Sequence, residues 1–485
     1  MGTSTLSIMV IFVFAFIPLV VAEIARKESL PTIENFFLQD RKMPLVMVFF
    51  TVYATWVSSF AFLGSVSSFY LNGPVYMTAL AWNILFGLLF MVIGKRLWGY
   101  GKSYGYVTPG DFFNDIYQSK PLNTLVTLIL LVFTIPYLQI QLSGGAYLIE
   151  IATGGLIPWR LSGLIFYLII IVYLWSGGIR AVALTDILYG TLIFATMISV
   201  GFYLSSKAGG IDYIFERITE FQPEKNIMDK ADIFSWISMF IIVPLGAIMG
   251  PPLWLRFYSV GERKIFNIMP LLLAVAAIMY LGCILSGNAG TVLIPNLEYS
   301  DTILPSLLVK YGSPVMTSIF FCGIASASLS TANSQIHAVA AIYTIDIYRN
   351  HINKKASEKK VVDTAKKSVV IISAIAYILM LQSPGEIIMK TGMLAMSGTA
   401  QIAIPTVGGL IWKRSNSKAA FWGLLTGIIS LIILYYILDL NKGCYGPIAL
   451  IINLFIFITV SLASDSDVGT REKIVLYKSR YEAKQ

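Results

Sequence analysis

Runs of about 17 to 25 predominantly apolar residues follow one another along almost the whole chain, and a run of that length is built to cross a bilayer as a helix. Within lipid every backbone N–H and C=O must be bonded internally, so a succession of such runs can only fold as a helix bundle. The sequence predicts a leading span near 6–23 and core spans near 44–72, 75–97, 121–149, 161–177, 184–206, 233–251, 267–289, 312–347, 367–383, 391–412, 418–438 and 445–464, thirteen in all. Composition agrees: 56% of the 485 residues are hydrophobic and 13% charged, with a mean hydropathy of +0.75. That is too apolar for a soluble domain.

Charge placement sets the expected topology. With the amino terminus outside, most of the 35 Lys and Arg fall on inner segments, among them Arg26, Lys27, Lys95, Arg96, Arg256 and the cluster from Arg349 to Lys367. Arg160, Lys225 and Lys310 are among the few on the outer side, as the positive-inside rule requires. The net charge of +9 thus reports topology, and no segment offers a nucleic acid a soluble basic face or recognition helix. Basic residues follow the first apolar run and none precedes it, which predicts a retained helix and not a cleaved signal. Cys283, Cys322 and Cys444 make neither a disulfide framework nor a metal pattern. The expected organisation is a leading helix in 1–30, a ten-helix core in 31–413, two accessory helices in 414–465 and a cytoplasmic tail in 466–485.

Two features carry chemistry. The stretch from Phe321 to Arg349 is a polar stripe on a membrane-length helix: at about 100° per residue, Ser326, Ser330, Asn333, Ser334 and His337 share one arc, with Ala327 and Thr331 at its edge and Ser328 opposite. Hydroxyls and carbonyls are hard oxygen donors suited to a cation such as Na⁺; small residues that let helices pack closely are the competing explanation. The second feature is a pair of interrupted spans. Thr55, Ser58, Ser59 and Gly64 interrupt the first core span, and Gly246, Gly250, Pro251 and Pro252 the sixth. Two broken spans five apart point to a transporter of two inverted repeats with its site at the breaks, although proline kinks also occur in ordinary membrane helices. Asp186, Arg256, Asp346 and Glu150 are expected near span ends and only His337 near a centre, which favours a metal cation over a proton as coupling ion.

The chain resembles the sodium:solute symporter family from about residue 35 to 430. GIASASLSTANSQIHAVAAIYTIDIYR is similar to that family's eighth core helix and YATWVSSFAFLGSVSSFYLNG to its first. YVTPGDFF, PYLQIQLSGGAYLIE, SGGIRAVALTDILYG, GPPLWLRF and PTVGGLIWKR follow in the family's order, the last two resembling the proline and pantothenate branch. The resemblance implies an all-α, LeuT-like 5+5 inverted repeat with broken first and sixth core helices, and sodium as the coupling ion. It implies a Na⁺ site of Ala54 and Val57 at the first break with Ala327, Ser330 and Thr331 on the eighth core helix. Asp186 matches an aspartate that serves a second cation or a gate in some members, or else pairs with Arg180 as an ordinary helix-end carboxylate. Tyr189 stands where many members have glutamine, and Trp56 where proline carriers have aspartate.

For the solute, a half-helix starting at a break directs free N–H groups and a positive dipole end into the site, which suits a carboxylate. Thr55, Ser58, Ser59 and the amide of Gln141 are the expected polar contacts, with Trp56, Pro252 and Trp254 as walls. The expectation is a monomeric plasma-membrane symporter, not an enzyme, importing an amino acid, pantothenate or another monocarboxylate with Na⁺. Proton coupling on the same scaffold, and a non-transporting sensor or channel, are the alternatives.

Overall fold

The computed structural model describes residues 30–230, 233–382, 388–438 and 444–464, with scattered positions between 14 and 27 and between 469 and 476. Among the described residues nine helices are long and apolar enough to cross a membrane, and up to 11 spans result if each of two bent pairs counts once. The shorter apolar helix Trp159–Val172 stands where the fourth core span is expected; the leading span lies largely outside the described residues.

The first bent pair is α1 (Leu45–Trp56) and α2 (Phe60–Met77), turned by 54°. A short amphipathic helix, α3 (Pro109–Tyr117), follows the second span, and then α4 (Lys120–Ala152) and α5 (Gly178–Lys207). The second bent pair, α6 (Ile233–Met249) and α7 (Pro251–Ser259), turns by 58°. The polar-striped helix is α8 (Pro314–Ile342), and α9 (Ile388–Ala400) belongs to the tenth core span.

Local chemistry explains the boundaries. Ser119 caps α4 by accepting Leu122 N–H, and Ser313 caps α8 by accepting Met316 N–H, each with proline in the first turn where its missing N–H costs nothing. The chain reverses before α5 at Gly178, whose φ of 56° favours glycine and where a Cβ would stand 2.8 Å from the Phe36 carbonyl. Helix α3 interrupts what the sequence reads as a plain connection; Thr108 and Asp111 form its capping box.

Helix α8 is the hub. In its most apolar window 83% of residues are buried, against α4, α5 and α7. Its small residues allow this: a Cβ on Gly323 would lie 1.9 Å from Thr196 Oγ1 of α5. Outward-facing Leu128, Val132 and Val172 are exposed, as expected of side chains that meet lipid. The ends of the two bent pairs are tied together, Met43 N–H donating to Ser259 O at 3.0 Å and Gly261 N–H to Met43 O at 3.0 Å.

Candidate sodium and solute site

Helix α1 ends at Trp56, and Val57 (φ −83°, ψ 86°) turns the chain out of the helix. Restarting a helix inside a bundle leaves its first N–H groups without intrahelical partners, and several are bonded nearby here. Ser58 N–H donates to Trp56 O (3.1 Å), Phe60 N–H to Ser58 Oγ (3.1 Å) and Phe62 N–H to Ser58 O (2.9 Å). Ser59 N–H donates to Gln141 Oε1 of α4 (3.0 Å), while Gln141 Nε2 donates to Tyr137 O (3.2 Å). The Ser58 hydroxyl also meets Tyr137 OH at 2.8 Å. Gln141, expected as a direct solute contact, instead braces the break, because a buried amide satisfies the nearest orphan donor.

Helix α8 closes on the same break. The Ser330 hydroxyl donates to Ala54 O at 2.8 Å and lies 3.3 Å from Ala327 O; the Thr331 hydroxyl lies 3.3 Å from Ala54 O and 3.2 Å from Thr55 O. Ala54, Val57, Ala327, Ser330 and Thr331 are all buried. Each hydroxyl keeps lone pairs, so rotating its proton away from the carbonyls turns the cluster into a set of hard oxygens. The oxygens gathered here, the carbonyls of Ala54, Thr55 and Ala327 and the hydroxyls of Ser330 and Thr331, are of the type a hard cation takes, while Val57, expected in the same set, is buried at the break without a hydrogen bond to either hydroxyl.

The stripe is less uniform than its helical projection. Ser326 bonds only its own helix, at Cys322 O (2.7 Å). Ser328, expected on an inert face, meets Ser59 Oγ at 2.6 Å, because α8 is enclosed and has no inert face. His337 packs against Phe36 and Phe37 with ring centroids 5.4 and 5.3 Å away.

Two charges expected near span ends are fully buried beside this cluster. Arg256 of α7 donates to Thr51 Oγ1 (3.1 Å) and Ser334 Oγ (2.5 Å), and lies 3.9 Å from Asp186 Oδ2 of α5. Thr51 OH donates to the same Asp186 oxygen at 2.6 Å. The partner of Asp186 is thus Arg256 and not Arg180: the bend at Gly250 swings α7 inward and carries its arginine under the break. Ser334 Oγ in turn meets Thr55 Oγ1 at 2.9 Å, so one chain of hydrogen bonds links Asp186 to the break.

Beside the break is a cavity of about 30 Å³ whose lining includes Thr55, Trp56, Thr134, Tyr137, Pro251 and Gln335. Trp56 stacks on Phe86 at 4.0 Å and its indole N–H donates to Asn83. Pro252 and Trp254, expected as walls, do not line it: Pro252 O accepts from Arg256, and Trp254 packs on Phe112 and Phe113 of α3. The second break offers few of the free N–H groups expected there. Pro251 and Pro252 have none, Gly250 N–H is taken by Ala247 O and Leu253 N–H by Gly250 O. Sequence reasoning missed Thr134 and Gln335, although Gln335 lies four residues beyond Thr331 and so on the same helix face.

Among the described residues no group of three or more His, Cys, Asp or Glu is placed to hold a metal. The chain is 27% identical over 414 residues to the sodium/pantothenate symporter of Haemophilus influenzae, covering 82% of this chain and 84% of the relative. The sodium/pantothenate symporter of Escherichia coli is 29% identical over 419 residues (83% and 84% covered), and the osmoregulated proline transporter of Bacillus subtilis 27% over 359 (71% of each). A solved Na⁺-coupled sialic acid symporter in a substrate-bound outward-open state shares the fold, with a TM-score of 0.81 at 17% identity over 94% of this chain and 97% of that one. The sequence profile of the Sodium:solute symporter family matches residues 36–427, and the chain belongs to that family: a multi-pass membrane transporter of small solutes with Na⁺ as coupling ion, not an enzyme.

Proposed function

We propose that this symporter imports a small organic carboxylate by alternating access, with Na⁺ bound by Ala54, Val57, Ala327, Ser330 and Thr331. The observation that carries the reading is the 2.8 Å contact of Ser330 Oγ with Ala54 O, which joins residues 276 apart across the first break. An ion there ties α1 to α8, so Na⁺ and solute binding are coupled reciprocally. Pantothenate and proline, named for the relatives, both bear a carboxylate. Na⁺ bound at the first break is a counter-charge for it. Thr55, Ser58, Ser59 and Gln141 shape the break, and Trp56 walls the solute. Asp186, held by Thr51 and Arg256, serves a second cation or gates the inner path. The ten helices within 31–413 form two inverted repeats. The protein acts as a monomer in the plasma membrane, amino terminus outside and carboxyl terminus in the cytoplasm. One charge crossing 100 mV is worth about 2.3 kcal/mol, so uptake of a neutral or zwitterionic solute with Na⁺ is electrogenic.

Proteoliposomes decide between this reading and its rivals. Labelled pantothenate should accumulate under an imposed sodium gradient. Accumulation driven by a pH gradient in sodium-free buffer, or current without accumulation, would reject it.

A further inference from the structure

Every polar side chain lining the central cavity has a protein partner, except two. Thr55 meets Ser334, the Trp56 indole meets Asn83, Tyr137 OH meets Ser58, and Thr399 donates to Gly246 O at 2.9 Å. The exceptions are Thr134 on α4 and Gln335 on α8. Thr134 Oγ1 and Gln335 Oε1 are buried without a hydrogen bond; the residues are only 2% and 8% exposed. No charged side chain lines the cavity. Thr134 forgoes even the i−4 carbonyl that threonines on membrane helices commonly use. A buried polar group left unpaired is destabilising, and an exception of this kind calls for a ligand or a water.

We infer that Gln335 and Thr134 are the specificity-determining pair of the solute seat, and that they recognise an uncharged amide or hydroxyl group on the solute's body, so that a carboxylate alone does not suffice. The inference rests on the solute reading above and adds to it. Gln335 offers both a donor and an acceptor, and Thr134 one donor and two lone pairs, a match for a solute amide flanked by hydroxyls. A site built to hydrogen-bond such a group rejects analogues that lack it far more strongly than an apolar wall rejects a missing methylene. Gln335 sits one helical turn from Thr331, so a solute group bonded to it bears on the same stretch of α8 as the sodium ligands.

Purified full-length protein in nanodiscs provides the test, with thermal stability followed while pantothenate or β-alanine is titrated with and without NaCl. β-Alanine has the carboxylate of pantothenate without its amide and hydroxyls. In the parent, pantothenate should stabilise and β-alanine should not. Gln335→Met and Thr134→Val, which keep shape and remove hydrogen bonding, should each weaken pantothenate binding at least tenfold. Stability without solute should hold or rise, since an unpaired polar group has been removed; a merely structural role predicts the opposite. Equal stabilisation by β-alanine, no stabilisation by pantothenate, or parent affinity in both variants overturns the inference. Variant-sensitive pantothenate binding that ignores sodium would support the seat and refute the sodium coupling, so the two failures are distinguishable.

Discussion

Removing a single hydroxyl from α8 should cost sodium affinity and leave the fold standing. Ser330 contributes an oxygen 2.8 Å from Ala54 O and 3.3 Å from Ala327 O; Ser330→Ala deletes it, and the remaining carbonyls cannot move together because α1 and α8 are both buried. A ligand loss of about 1 to 3 kcal/mol corresponds to roughly a 5- to 150-fold rise in the sodium concentration for half-saturation. The variant also loses a neutral hydrogen bond, worth about 1 kcal/mol of stability without sodium, so the informative quantity is the sodium-dependent increment. At sodium a hundredfold above its Kd the parent gains about 2.7 kcal/mol, and a tenfold weaker site gains about 1.4 at the same concentration. Thr331→Val, which keeps the branched shape, should behave alike. The control is Ser326→Ala, whose hydroxyl bonds only Cys322 O of its own helix; Ser328 is unsuitable, because it reaches Ser59. Sodium titrations of thermal stability in nanodiscs read all three. Equal half-saturation in Ser330→Ala, Thr331→Val and parent would refute the assignment of these hydroxyls to the ion.

Gln141→Ala strands the Ser59 N–H at the first break and should lower stability by about 1 to 3 kcal/mol, weakening sodium and solute binding in parallel; a loss confined to solute affinity would restore Gln141 as a direct contact. Asp186→Ala leaves Arg256 buried without its counter-charge and should cost about 3 to 5 kcal/mol, whereas pairing it with Arg256→Met should cost much less; additive losses in the double-mutant cycle would show that the two charges do not interact. For topology, cysteine at the exposed Ile227 should be labelled from outside and at Lys355 from inside. Lys225 is a poor reporter, since its ammonium donates to Tyr70 O at 2.7 Å. Labelling of both from one side would contradict the proposed orientation.

Membrane residence, the positions of the long apolar spans and the two breaks were legible in the sequence, because each rests on local chemistry. Length and hydropathy make a span, and two prolines in succession after Gly250 remove two backbone N–H groups and favour a break there. The convergence of Ser330 and Thr331 on Ala54 was reachable only by resemblance, since nothing in either segment alone says that they meet. Tertiary packing decided the remainder. A helical projection assumes one face toward a partner and one toward solvent, and α8 is buried on every face from Phe320 to Ile342, which is why Ser328 bridges to Ser59 while Ser326 serves its own helix. Asp186 and Arg256 lie near span ends in sequence, yet a 58° bend brings α7 beneath the first break and buries the pair. Gln141 has a solute contact's chemistry, but an orphan N–H lies 3.0 Å away and takes it. Hydrogen-bond partners in a membrane interior are allocated by proximity after the helices have packed, so the two groups left over around the cavity, Thr134 and Gln335, become visible only once the partners of its other polar side chains are in place.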